Sequence, residues 1–230
     1  MIKRILNLST GVLLLTMFAA VWAHTSEAKK PAHFVPASVS KAGDIPYPAN
    51  SLDAGVVTLS VYVEKTGQVL GVTILRDIPS VSGPAAAAVR SWTYTPATLD
   101  GKPVQSTLTI NIEYDPGILG ADNIPLPPPS QVQPISKDDP PFFPPVLNTA
   151  TFAPYPAKAK AQGAVILNVT LDTNGNASQV VILRDVPPLT ASATAALKNW
   201  NFSAATYEGN PIQSHMAVAF VFRSPSTPIP

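Results

Sequence analysis

The chain has no cysteine. Disulfides, thiolate metal sites, a cysteine nucleophile and a lipid-modified N-terminal cysteine are therefore excluded. Charge is scarce too: 13% of the 230 residues are charged, and the formal net charge is +1. Nucleic acid is not an expected partner, because its recognition calls for a basic face or stripe. Histidine is sparse and scattered, at His24, His33 and His215, with no H-x-x-x-H spacing and no carboxylate cluster beside it. A metal site is not expected from such a pattern. There is no G-x-S-x-G, P-loop or Rossmann fingerprint. Gly67-Gln-Val-Leu-Gly71 reads as a hairpin turn before a strand, the wrong context for phosphate. Since no nucleophile–base or metal constellation can be assembled, neither an enzyme nor a cofactor is expected.

Long apolar runs are also missing. The clean run, Gly11 to Ala23, falls short of the ~20 residues that a spanning helix needs. With Lys3 and Arg4 before it and Val21-Trp-Ala23 at its end, it reads as a secretory signal peptide over 1–23, cleaved after Ala23. The competing reading is an uncleaved membrane anchor. With cleavage, the mature protein is periplasmic or secreted and carries no membrane span.

Proline, by contrast, is abundant, with 26 residues against an average of about 5%. Many of them fall in a connector at 116–153, which favours polyproline II and reads as a semi-rigid spacer. The connector separates two copies of one unit. Trp92-Thr-Tyr94 followed by Gly101-Lys-Pro103 recurs 108 positions later as Trp200-Asn-Phe202 followed by Gly209-Asn-Pro211. The divisions are a polar linker at 24–45, a first domain at 46–115, a second at 154–223, and a tail at 224–230. Phe34-Val-Pro36 and Phe142-Phe-Pro144 stand at the same offset and suggest an arm packed on each domain.

Each copy reads alike. Pro46-Tyr-Pro-Ala49 and Pro154-Tyr-Pro-Ala157 open a short helical segment that stops at Gly55 or Gly163. Val57, Leu59, Val61 and Val63 alternate with more polar residues, as do Val165, Leu167, Val169 and Leu171, which argues a half-buried strand. A hairpin turn and a second strand follow, ending in Arg76-Asp77 or Arg184-Asp185. Adjacent strand residues point to opposite faces, so each Arg-Asp pair reads as structural rather than as a ligand site. Ala85, Ala88, Val89 and Trp92, with Ala193, Ala196, Leu197 and Trp200, then fall at i, i+3, i+4 and i+7 of an amphipathic helix. A final strand closes the unit. The fold class is α+β: two tandem α-β-β-α-β domains, each a three-stranded antiparallel sheet with helices on one face.

The succession of Pro-x-x-Ala, Trp92-x-Tyr94-x-Pro96-Ala97 and Gly101-x-Pro103-Val104, with its second copy, resembles the TonB C-terminal domain of the energy transducer TonB family. Two departures are Val81-Ser-Gly-Pro84 where such domains often carry Leu-Asp, and Ala204 where proline is usual. The resemblance implies a bacterial source. It also implies binding of the short N-terminal peptide of an outer-membrane receptor, or a peptide of another envelope protein, by strand addition. An exposed edge strand suits that task, because its unpaired N–H and C=O groups can pair with an extended peptide. The final strand is expected to be the edge, with Gln105, Thr107, Thr109 and Asn111, and Gln213, His215, Ala217 and Ala219, facing outward. Two alternatives stay open: these are solvated positions, or the edge pairs with the sister repeat or across chains in a homo-oligomer. The family's transducers cross the periplasm on a long spacer, whereas 24–45 extended at ~3.1 Å per residue reaches only roughly 70 Å.

Overall fold

The computed structural model describes residues 33–117, 120, 122–130 and 140–225. The signal peptide or anchor, its cleavage point, His24 and residues 226–230 of the tail lie outside the described residues. Among the described residues, no helix is long and apolar enough to cross a membrane.

The first copy comprises β1 (Phe34–Val35), β2 (Ser38–Lys41), β3 (Gly55–Val63), β4 (Val69–Arg76), α1 (Pro79–Arg90), β5 (Thr93–Thr95), β6 (Ala97–Leu99), β7 (Lys102–Val104) and β8 (Ser106–Asp115). The second repeats the order: β9 (Phe142–Phe143), β10 (Val146–Thr149), β11 (Gly163–Leu171), β12 (Ala177–Arg184), α2 (Leu189–Leu197), β13 (Asn201–Ser203), β14 (Ala205–Tyr207), β15 (Asn210–Ile212) and β16 (Ser214–Phe222). The α+β class and the three-stranded antiparallel sheet of each copy match the sequence reading. The short opening helix does not form. Pro46 and Pro48, like Pro154 and Pro156, bias the preceding residues away from helical dihedrals. The segment is instead a loop closed by a tyrosine. Tyr47 Oη donates to the Asp53 carbonyl at 2.6 Å, and Tyr155 Oη to the Ala161 carbonyl at 2.7 Å.

The duplication reaches into fine detail. Ser82 Oγ accepts from the Ile78 N–H at 2.8 Å, and Thr190 Oγ1 from the Val186 N–H at 3.0 Å, so in each copy a first-turn hydroxyl reaches back to the backbone just ahead of the helix. Trp92 and Trp200 are both buried at the end of the helical stripe, which makes them core anchors. Gly101 and Gly209, each at φ 78°, turn a small hairpin, β6–β7 or β14–β15, before the last long strand. The arms are present as well: β1 and β2 pair with β6 and β5, and β9 and β10 pair with β14 and β13.

The two sheets are continuous. Strand order is β12-β11-β16-β8-β3-β4, with every pair antiparallel except β16–β8, which is parallel. A mirrored order with a parallel centre means that a pseudo-twofold axis runs along the strands, so equivalent side chains point to opposite faces of one sheet. Ile110 and Ala217 are neighbours across the seam and pack in the core beneath α1, with Val89 and Leu59. Val218, one residue on, packs in the core beneath α2 with Leu197 and Leu167. The helices therefore lie on opposite faces.

Each copy's other face is covered from outside its own unit. Leu147 of β10 and Ile124, Phe152 and Ala153 of the connector share a core with Val56 of β3. On the reverse side β2 lies against β16. This is why β3 is buried at all nine positions although its alternation suggests a half-buried strand. The described part of the connector is likewise tied down rather than extended in solvent. Ile124 N–H donates to the Ala150 carbonyl at 2.9 Å, Phe152 N–H to the Asp122 carbonyl at 3.0 Å, and Ser130 N–H to the Leu75 carbonyl at 3.0 Å.

Candidate functional site

The expectation that the last strand is the sheet edge is corrected by this topology. β8 and β16 are the two central strands, and they occupy each other's edges from Ile110 and Ala217 onward. Asn111, Ala217 and Ala219 are fully buried in the seam, and Thr109 is buried beside it. Asn111 accepts a hydrogen bond from Thr58 Oγ1 at 2.8 Å and points its amide at Met216 Sδ, 3.8 Å away. Gln105 and Thr107, with Gln213 and His215, lie before the paired register. The first two and His215 are half-buried, and Gln213 is exposed. His215 Nδ1 is 3.2 Å from Thr170 Oγ1, and burial pushes its pKa down, so the ring is neutral near pH 7. The eight residues therefore form no single outward row. The physical reason is apolar substitution in the second copy: Thr109 and Asn111 are matched at the repeat offset by Ala217 and Ala219, which pack under α1.

The free edges are the second strands, β4 and β12. They are not equivalent. β4 is contacted by α1 and, at its end, by the connector through the Ser130–Leu75 bond, with Leu70 and Ile74 left 54% and 38% exposed. α2 begins only at Leu189, after Pro187 and Pro188, and packs against β11 rather than over β12. β12 is thus exposed at its first six positions, with Val180, Val181 and Ile182 at 38%, 44% and 49%. Val180 and Ile182 belong to the α2 side and Val181 to the other, so both faces of the edge are apolar. β12 holds no Lys and no Pro, the usual devices against edge pairing. A signal for this was present in the sequence. Val72-Thr73-Ile74-Leu75 alternates, whereas Val180-Val-Ile-Leu183 puts valine at the position of Thr73.

The two arginines singled out by the repeat serve different ends. Arg184 pairs with Asp44 of the first copy at 3.1 Å, in a partly exposed ion pair. Arg76 is buried and donates only to neutral acceptors: the Pro127 carbonyl at 2.7 Å, Thr58 Oγ1 at 3.0 Å and the Leu147 carbonyl at 2.8 Å. Burial alone lowers its pKa. Asp185 accepts from Thr190 Oγ1 at the start of α2, in line with the structural reading of that pair.

The acids near the seam are buried as well. Glu113 is fully enclosed, with one carboxylate oxygen 3.5 Å from the Ala153 N–H and the other without a partner. Burial first, and Asp115 second, raise its pKa well above the ordinary carboxylate range. Among the described residues, no three His, Cys, Asp or Glu side chains are grouped so as to hold a metal.

One comparison with known proteins gives a match. The family described as Gram-negative bacterial TonB protein C-terminal matches residues 46–116 and 152–224, once for each copy. No curated protein and no solved structure matches the chain.

Proposed function

The chain belongs to the Gram-negative bacterial TonB protein C-terminal family, present twice in tandem, and on that premise we propose that it is an exported, non-enzymatic binding protein of the cell envelope. Its partner is an extended peptide of an outer-membrane receptor or another envelope protein, taken up by strand addition in a TonB-dependent transport context. The observation that carries this reading is the open edge of β12, with Val180, Val181 and Ile182 exposed on a strand that lacks edge protection. Main-chain pairing along such an edge supplies affinity, and the alternate side chains supply selectivity. In this reading the peptide joins the second strand of the second copy, because the last strands are engaged with each other. The chain is exported through its N-terminal segment, which is removed, and acts in the periplasm or outside the cell.

The test is amide chemical-shift mapping of the full chain with N-terminal receptor peptides. Shifts concentrated in 177–184 are expected. No shifts with any such peptide, or shifts confined to β8 and β16, would count against it.

A second reading is an assembly module, favoured by the parallel β8–β16 seam, where one copy already uses the other as its added strand. It predicts self-association through β12, seen as a sedimentation coefficient that rises with protein concentration. A third, the anchored transducer, rests on residues 1–23, and N-terminal sequencing of the exported protein decides it.

A further inference from the structure

A cavity of about 390 Å³ lies between the back face of the first copy's sheet and the proline-rich connector. Its size falls within the ~300–1,000 Å³ typical of small-molecule sites. Leu75, Leu147 and Phe143 give it apolar walls, closed by prolines of the connector. Phe143 and Val146 are 52% and 39% exposed, so its mouth is at the surface. Its polar side chains are Thr58, Thr109, Ser130 and Arg76.

Arg76 is the unexplained member. A guanidinium has five N–H donors, and three are used, none on a carboxylate. A buried cation is costly unless an opposite charge compensates it. The duplication provides an internal comparison. The equivalent Arg184 has its carboxylate, Asp44, held at 3.1 Å from the neighbouring copy. The residue at Asp44's place in the second copy is Phe152, which is apolar and buried in the core. The second copy therefore presents no carboxylate to Arg76, and an apolar cavity open to the surface lies beside it.

We propose that this cavity binds a carboxylate carried on an apolar chain, with the carboxylate on Arg76 and the chain between Leu75, Leu147 and Phe143. Thr109 adds a hydroxyl to the lining, while the Thr58 hydroxyl proton is already committed to Asn111. A fatty acid and the C-terminus of an apolar peptide share this chemistry, and the test separates them. The site is remote in kind from strand addition at β12, and it stands whether or not that reading does.

The experiment is calorimetric titration of the full chain at neutral pH with decanoate, decanol, and a Leu-Leu-Leu peptide with a free or an amidated C-terminus. Saturable binding of one decanoate or one free-acid peptide per chain is expected, with the neutral analogue weaker by about tenfold or more. Whichever acid binds identifies the source. Arg76→Met keeps the bulk and should lose this preference for the acid. Because that variant removes three hydrogen bonds and can unfold, Phe143→Asp at the exposed mouth is a second arm. It should fold normally and weaken decanoate binding by repulsion. Val181→Lys should leave decanoate binding unchanged, which keeps this test apart from that of the peptide edge. Equal binding of acid and neutral analogue, undiminished binding by both variants, or no saturable binding of either acid would overturn the proposal.

Discussion

Ala217 sits beside Ile110 in the parallel seam, one position short of the residue that the 108-residue repeat offset would put there. The stagger is required by geometry. A twofold axis along the strands sends equivalent side chains to opposite faces, whereas direct neighbours in a parallel pair share a face. An odd shift reconciles the two, since each one-residue slip flips a strand's faces. Small side chains on β16 make the result packable, because Ala217 and Ala219 enter a core that α1 and β2 already fill.

Ala217→Glu should therefore act on the whole molecule and not on one repeat. The side chain would be fully buried at the joint, inside the apolar core beneath α1. Burying an unpaired charge belongs to the severe class of substitutions, and a loss of more than about 3 kcal/mol is expected. Gln213→Glu, on the exposed end of the same face, should stay within about 0.5 kcal/mol. Urea denaturation of both variants checks the contrast. Similar midpoints would mean that the seam does not hold the copies together.

Glu113 should make stability fall with rising pH. Below the usual carboxylate range both folded and unfolded chains hold its proton. Above that range the unfolded chain releases the proton while the folded chain keeps it, because burial and Asp115 raise the folded pKa. The folded state then binds more protons, and stability drops by at most about 1.4 kcal/mol per pH unit until the folded pKa is reached. Glu113→Gln removes the titration. Its denaturation midpoint should vary less with pH, overtaking the parent protein as pH rises above the carboxylate range. Parallel pH profiles for the two proteins would show that Glu113 is ionised in the fold.

The strands, the main helix and the buried tryptophans were legible in the sequence because each follows from local periodicity repeated twice. The seam was not. Alternation says which face of β16 is apolar to its own helix, and Met216, Val218, Phe220 and Phe222 obey it. It does not say that Ala217, Ala219 and Val221 on the other face are apolar enough to be buried by a neighbour. A strand with apolar residues on both faces is the mark of two-sided coverage, and Ala217–Phe222 carries it without a break. The loss of the opening helix is a case of local chemistry outweighing a short pattern, since two prolines in three residues decide the backbone. The free edge at β12 depended on where α2 begins, and that start is set by Pro187 and Pro188, three residues past the strand's end.

The hairpin glycines offer a test of the duplicated turn. Gly175 has φ 84°, and a methyl group there would collide with the Phe202 carbonyl oxygen. Gly175→Ala combines that clash with the ~1–2 kcal/mol cost of a left-handed residue, so a loss above about 2 kcal/mol is expected. Gly71, in β4, has nothing within 4 Å of where a Cβ would stand. Gly71→Ala should be neutral or stabilise by up to about 1 kcal/mol through the unfolded chain. Thermal melts of the two variants should shift in opposite directions or differ widely, and equal shifts would contradict the turn geometry.

Val181→Lys separates the binding edge from the stability of the fold. Val181 is 44% exposed on the outermost strand, opposite Asn168 of β11, so its replacement removes little buried surface. The midpoint should move by no more than about 0.5 kcal/mol. The edge itself should change more. A lysine at the centre of β12 discourages a further strand electrostatically and by its hydration, as natural edges do. The receptor peptide should bind at least about tenfold more weakly, measured by the same amide shifts. The comparison strand sharpens the test. Thr73, the equivalent residue of β4, is already polar, and the connector holds that edge at Leu75. Thr73→Lys should therefore leave peptide binding as it was. If Thr73→Lys and Val181→Lys weaken binding equally, the two edges are used alike, and the asymmetry set by the late start of α2 has no part in recognition.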